Sequence, residues 1–137
     1  MKALSMRLGQ FAVCALLVTI MFRYALNLCI GKESMLAAVS CSVVYFCLMY
    51  YIGYHFGEKD AVENGYHDIG FRFHLVTYIV CMCVTLGAHY IGWYTEPLKA
   101  MAITAVSWGI GLMIHFIFFL IARKSTIKGY AREEIFQ

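Results

Sequence analysis

Four stretches of this chain are almost free of charge, and each is about as long as a bilayer is thick. They run from Leu8 to Ile30, Met35 to Tyr54, Phe73 to Trp93 and Leu98 to Ile121. A helix needs roughly 20 apolar residues to cross a hydrocarbon core of about 30 Å. Inside lipid, every backbone polar group must be satisfied by the segment's own fold, which a helix does along its length. Composition agrees: 62% of the 137 residues are hydrophobic and 14% are charged, against roughly half and a quarter in a soluble domain. The pattern predicts an all-α, polytopic integral membrane protein with four transmembrane helices.

The links set the topology. Gly31-Lys32-Glu33-Ser34 and Tyr94-Thr95-Glu96-Pro97 leave room only for tight turns, so the spans pair as two antiparallel hairpins. The expected division is residues 1–54 as a first hairpin, 55–72 as a loop, 73–122 as a second hairpin and 123–137 as a tail. Within the loop, Glu58 to Asn64 has the composition for a helical turn or two, and Asn64-Gly65 reads as a stop. Pro97 suits the first turn of the fourth helix, where its missing N–H costs nothing.

Positive charge gives the orientation. Lys2, Arg7, Lys59, Arg72, Arg123, Lys124, Lys128 and Arg132 fall on the side of the termini and the central loop, against Arg23, Lys32 and Lys99 on the other. By the positive-inside rule, both termini and the loop are expected in the cytoplasm. The net charge of +3 is then a topology signal, with no nucleic-acid partner implied. The first run starts basic, but it outlasts a signal-peptide core and no small-residue cleavage site follows it.

The residues that chemistry would need are mostly missing. The sequence holds no Gly-rich phosphate loop, no HExxH pair and no nucleophile elbow. No Asp or Glu lies within a span, so the buried acid of a cation-coupled exchanger is absent from them. His67-Asp68 reads as a solvated turn. All six cysteines, Cys14, Cys29, Cys41, Cys47, Cys81 and Cys83, lie in spans, where cysteine packs as a small hydrophobe. Cys81 and Cys83 are two apart and point to different faces of a helix. The expectation is a protein that is not an enzyme.

What remains is polar residues at helical spacing. In the third span, His74, Tyr78, Cys81, Thr85 and Gly92 share a stripe, with Val76, Val80, Cys83 and Val84 facing away. In the fourth, Thr104, Trp108, Gly111, His115 and Ala122 share a stripe, opposite Ile103, Val106, Ile110, Met113, Ile117 and Ile121. In lipid, the small and polar side faces protein and the aliphatic side faces tails. His74, Tyr78, Trp108 and His115 are therefore expected as an inter-helix polar cluster. Ala105 and Gly109 add a small-xxx-small pair that permits close approach. A haem b between His74 and His115 is an alternative use. If Arg72 and Arg123 mark one membrane surface, however, the histidines sit about 3 Å and 12 Å below it, which is unequal for two ligands of one ion. A second set, Thr19, Arg23 and Asn27 on span one with Ser42 and Tyr45 on span two, would line a path or pack. Arg23, a charge inside a span but close to its outer surface, would snorkel outward or pair with Glu33 or Glu96.

The second hairpin resembles a known family. Phe71-Arg72-Phe73-His74-Leu75-Val76-Thr77-Tyr78, followed by Trp108-Gly109-Ile110-Gly111-Leu112-Met113-Ile114-His115, looks like the bacterial 2TM domain. Its hairpins begin with a histidine and a tyrosine, and later show Trp-Gly-x-Gly and a second histidine. The asparagine often found after that tyrosine is replaced here, with Cys81 and Cys83 in its region. The resemblance covers about residues 70–122, leaves the first hairpin unexplained, and implies a bacterial inner-membrane module. Such modules occur alone or attached to sensor kinases.

These readings converge on a non-enzymatic four-helix module of the bacterial inner membrane, forming a homo-oligomer or serving as a small subunit of a membrane complex. An oligomeric pore or membrane-disrupting effector is the first alternative, and a haem-binding membrane protein the second.

Overall fold

The computed structural model describes residues 5–64, 69–93 and 97–133. Four helices follow in order: α1 (Met6–Gly31), α2 (Met35–Asn64), α3 (Ile69–Tyr90) and α4 (Leu98–Glu133). Each contains a stretch long and apolar enough to cross a membrane. The protein is an all-α membrane protein built as two antiparallel hairpins.

Local chemistry sets the helix ends. The Ser5 side chain accepts from the Leu8 N–H at 3.1 Å and caps α1, satisfying a donor that the first turn would otherwise leave unpaired. At the far end, Ser34 N–H donates to the Cys29 carbonyl and Glu33 N–H to the Ile30 carbonyl, with Glu33 at φ 52°. This is a Schellman ending, which needs one left-handed residue. At the end of α3, Trp93 N–H donates to Ala88 and Gly92 N–H to His89, with Gly92 at φ 73°. Pro97 precedes α4 and its carbonyl accepts from Ala100 at 2.9 Å.

Two helices outrun the apolar segments that seeded them. α2 has 30 residues, about 45 Å, and α4 has 36, about 54 Å at 1.5 Å per residue. The segment 55–72, expected as a loop, is helical on both sides of 65–68, because α2 continues past Tyr54 and α3 begins at Ile69. Side chains fasten that extension. Phe56 packs on the core, Arg7 Nε donates to both Glu63 carboxylate oxygens at 3.0 Å, and Arg72 Nη2 donates to Asp60 Oδ2 at 2.9 Å. The expected tail after 122 is likewise helical to Glu133. No proline interrupts it, and Ala, Arg, Lys and Glu are good helix formers. The expected turn residues Gly65, Tyr94, Thr95 and Glu96, and the pair His67-Asp68, lie outside the described residues.

α1, α2 and α3 pack on one another, whereas α4 closely approaches only α3 among the described residues. The buried side of α1 is Leu8, Phe11, Ala15 and Thr19, a helical stripe at steps of three and four. Leu8, Phe11 and Ala15 meet Phe73 of α3, flanked by Met49, Ile52, Phe56, Val76 and Val80. The Phe11 ring lies 4.8 Å from Phe73 and 6.4 Å from Phe56, centre to centre. This overturns the expectation that Val76 and Val80 face lipid. Because α3 is the central helix, it has two protein-facing sides: Phe73, Cys81, Thr85 and Ala88 are buried, while Phe71, His74 and Tyr78 meet rings of α4. On α4, Ile103, Val106, Ile110, Met113, Ile117 and Ile121 are all exposed within the single chain.

Candidate functional site

The layers of the bundle run from ionic to aromatic to polar. At the end holding the termini stand the Arg7–Glu63 and Arg72–Asp60 pairs. Asp60 is fully buried. Glu63 lies beyond the apolar part of α2, and its hydrogen bond from Arg7 holds its carboxyl below the usual value. Next come Phe11, Phe56 and Phe73, which plug the middle of the three-helix core.

A polar layer follows. Thr19 Oγ1 lies 3.0 Å from the Tyr45 hydroxyl and 3.8 Å from Cys81 Sγ, and Tyr45 Oη lies 3.1 Å from that sulfur. Phe22 stacks on the Tyr45 ring at 4.2 Å. One turn further along α1, Arg23 Nη2 donates to Thr85 Oγ1 at 2.8 Å. Thr19 and Thr85 are both buried. Arg23, expected to snorkel outward or to pair with Glu33 or Glu96, thus reaches a hydroxyl of α3; Glu96 lies outside the described residues.

These residues line a cavity of about 150 Å³. α1 contributes Thr19, Phe22 and Arg23, α2 Tyr45 and α3 Cys81, Met82 and Thr85. Met101, Thr104 and Trp108 of α4 close it. The cavity exists because α1 and α4 both lean on α3 and, among the described residues, do not closely approach each other. Among the described residues, Arg23 is the charged side chain of its wall. Thr19, Arg23, Tyr45 and Trp108, drawn from two different expected groups, thus share one space. Ser42 stands apart: it is exposed and its hydroxyl donates to the Ala38 carbonyl on its own helix. Asn27 lies further along α1, is half-buried and is not among the cavity-lining residues.

The other expected cluster is laid out as two ring pairs between α3 and α4. His74 faces His115 at 4.8 Å between ring centres. Tyr78 meets Trp108 edge-on at 5.8 Å, and its hydroxyl donates to the Ala105 carbonyl at 3.2 Å. Phe71 packs on Phe116 and Phe119 below them. The unequal depths expected for the histidines are corrected, because α4 continues beyond Arg123 and that residue does not mark a helix end. Both imidazoles are exposed, on the rim of the α3–α4 pair. At contact distance, the rings leave no slot for a porphyrin plane between them. Among the described residues, no group of three or more His, Cys, Asp or Glu converges as a metal site.

The pair Asp60–Arg72 had no sequence signal beyond two opposite charges in a polar segment. Met82 and Met101 likewise looked like any apolar residue of a span. Cys81 was legible only as one position of a stripe. Its partner Tyr45 sits on a helix 36 residues earlier. No known protein-family model, curated protein or solved structure matches the chain.

Proposed function

We propose that this chain is a non-enzymatic membrane module of the bacterial inner membrane, with both termini cytoplasmic, that assembles with itself or as a small subunit of a larger membrane complex. The observation that carries this reading is the position of α4. It closely approaches α3 alone among the described residues, so most of its circumference is left for neighbours outside the chain. That outward side includes a shallow groove along Ala105, Val106, Gly109, Ile110, Met113 and Ile117, with Tyr78 at its edge. Small residues in such a groove let a second helix approach closely in lipid. The positive-charge bias supports the orientation, and the resemblance of residues 70–122 to 2TM modules supports the same class of role.

A pore within one chain has less in its favour. Phe11, Phe56 and Phe73 stand between the polar layer and the end that holds the termini. Thr19 is buried against Tyr45 and Cys81 rather than set along an open path.

The deciding measurement is the mass of the complex extracted from its native membrane in mild detergent. A homo-oligomer, or companions at fixed stoichiometry, is expected. Val106→Trp in the groove should then release the complex to single chains without unfolding them. A monomer with no companions overturns the reading.

A further inference from the structure

At the rim of the α3–α4 pair, two imidazoles from different helices face each other. The ring centres of His74 and His115 are 4.8 Å apart, with the planes inclined at 47°. That spacing suits a shared metal ion. With a metal about 2.1 Å from each ring nitrogen and the ring centre roughly 1.2 Å behind it, two imidazoles have centres about 4.6 Å apart at a right angle and about 5.3 Å apart at a tetrahedral angle. One nitrogen edge of His115 is turned towards α3, because a Cβ added at Gly70 would lie 3.6 Å from Nε2. Gly70 stands one turn before His74 on the same face of α3. Its missing side chain leaves room at that nitrogen.

The pair is braced on both sides. Phe71 packs on Phe116 and Phe119 towards the start of α3. Tyr78 meets Trp108 on the other side, and its hydroxyl donates to the Ala105 carbonyl at 3.2 Å. These contacts hold α3 and α4 at the separation the two rings need, so a bound ion has little left to order. Both imidazoles are exposed. His74 stands about 3 Å of helix rise from Arg72, whose ion pair with Asp60 belongs to the end of the bundle that holds the termini. An ion in water at that membrane surface can reach the rings. Imidazole suits zinc, copper and nickel, whereas magnesium and calcium prefer oxygen ligands.

We propose that His74 and His115 together bind a divalent transition-metal ion of the zinc class, which staples α4 to α3, with water or lipid phosphate oxygens in the remaining positions. The staple matters for α4 because α3 is the helix it closely approaches among the described residues. The site stands independently of how the chain assembles.

The test uses the full-length chain without a histidine tag, in nanodiscs of phosphatidylcholine, dialysed against zinc chloride and assayed for bound metal. One zinc ion per chain is expected, or one per two chains where a second copy's pair completes a four-histidine tetrahedron. His74→Gln and His115→Gln should each weaken binding by about tenfold or more, since even an outer-shell partner of a metal site is worth that much. His55→Gln, at an exposed position of α2, should leave binding unchanged. Bound zinc should also raise the melting temperature of the wild-type chain and not that of either variant. No zinc on the wild-type chain, or wild-type affinity in both variants, overturns the proposal. A second measurement needs no variant: carbethoxylation of the wild-type chain by diethyl pyrocarbonate, mapped by mass spectrometry. Zinc should shield His74 and His115 and leave His55 reactive. Equal modification of the pair with and without zinc overturns the proposal even where a glutamine variant does not fold.

Discussion

Glu33 and Gly92 hold the same position in the same helix-ending motif, one in each tight connector at one end of the bundle. Both are left-handed, at φ 52° and 73°, and both donate to a carbonyl three residues back. Only one of them is the residue that conformation favours.

Glu33 accordingly stores backbone strain that Gly92 does not. An L residue in this region pays about 1–2 kcal/mol. Glu33→Gly should raise stability by about 1 kcal/mol, somewhat less than the strain because glycine loses more freedom on folding. Gly92→Ala should lower it by about 1–2 kcal/mol. Unfolding in mixed micelles of rising sodium dodecyl sulfate fraction measures both.

Phe11 is the hub of the three-helix core, 1% exposed and in ring contact with Phe56 and Phe73. Truncating a buried phenylalanine to alanine costs about 3–5 kcal/mol in water-soluble cores. In lipid the transfer part falls away, since tails are as apolar as the core. Phe11→Ala should therefore cost about 2 kcal/mol, as lost packing and an unfilled void. Val13→Ala, on the exposed side of α1, should cost well under about 1 kcal/mol. Equal losses in the same unfolding titration would contradict the assigned faces.

Asp60 and Arg72 form an ion pair in which the carboxylate is fully buried and the arginine mostly so. Removing one partner of such a pair leaves a buried charge and costs about 3–5 kcal/mol. Asp60→Asn and Arg72→Met should each be strongly destabilising. The double variant should recover much of the loss, because no lone charge then remains. A double-mutant cycle on thermal unfolding gives the coupling, and strict additivity would remove the pair from the account.

Glu63 titrates lower in the folded chain than in the unfolded one, owing first to the hydrogen bond from Arg7. A depressed carboxylate contributes stability above its unfolded pKa, about 4.3. That contribution is lost as pH falls through the folded value. Melting temperature should therefore drop as pH is lowered from 5 toward 3, and Glu63→Gln should flatten the drop. The pair is solvent-exposed, so the effect should also shrink in high salt.

How far the sequence carries depends on whether a property is local. Span count and the two tight connectors were legible because hydropathy is a property of neighbours along the chain. The α3–α4 ring pairs were legible in part, since His74, Tyr78, Trp108 and His115 sit at helical spacing on adjacent helices. What periodicity assigns is a face, however, not a partner. A single polar stripe on α3 suggested one protein-facing side, but a central helix has two, and Val76 and Val80 went to the second. The polar cavity draws on α1, α2, α3 and α4. Its grouping of Thr19, Tyr45, Cys81 and Trp108 depends on which helix sits in the middle, and spacing within one helix carries no trace of that.

The attachment of α4 to α3, the one helix it closely approaches among the described residues, has a consequence for biosynthesis. Every residue of the Phe11 core, from Leu8 to Val80, has been translated before the first residue of the fourth span. The three earlier helices can settle against each other in the bilayer while α4 is still being made. The last helix then docks onto a finished surface, so a chain cut short near residue 95 and released from the ribosome would already hold a packed three-helix membrane protein whose α1–α4 cleft has yet to gain its outer wall.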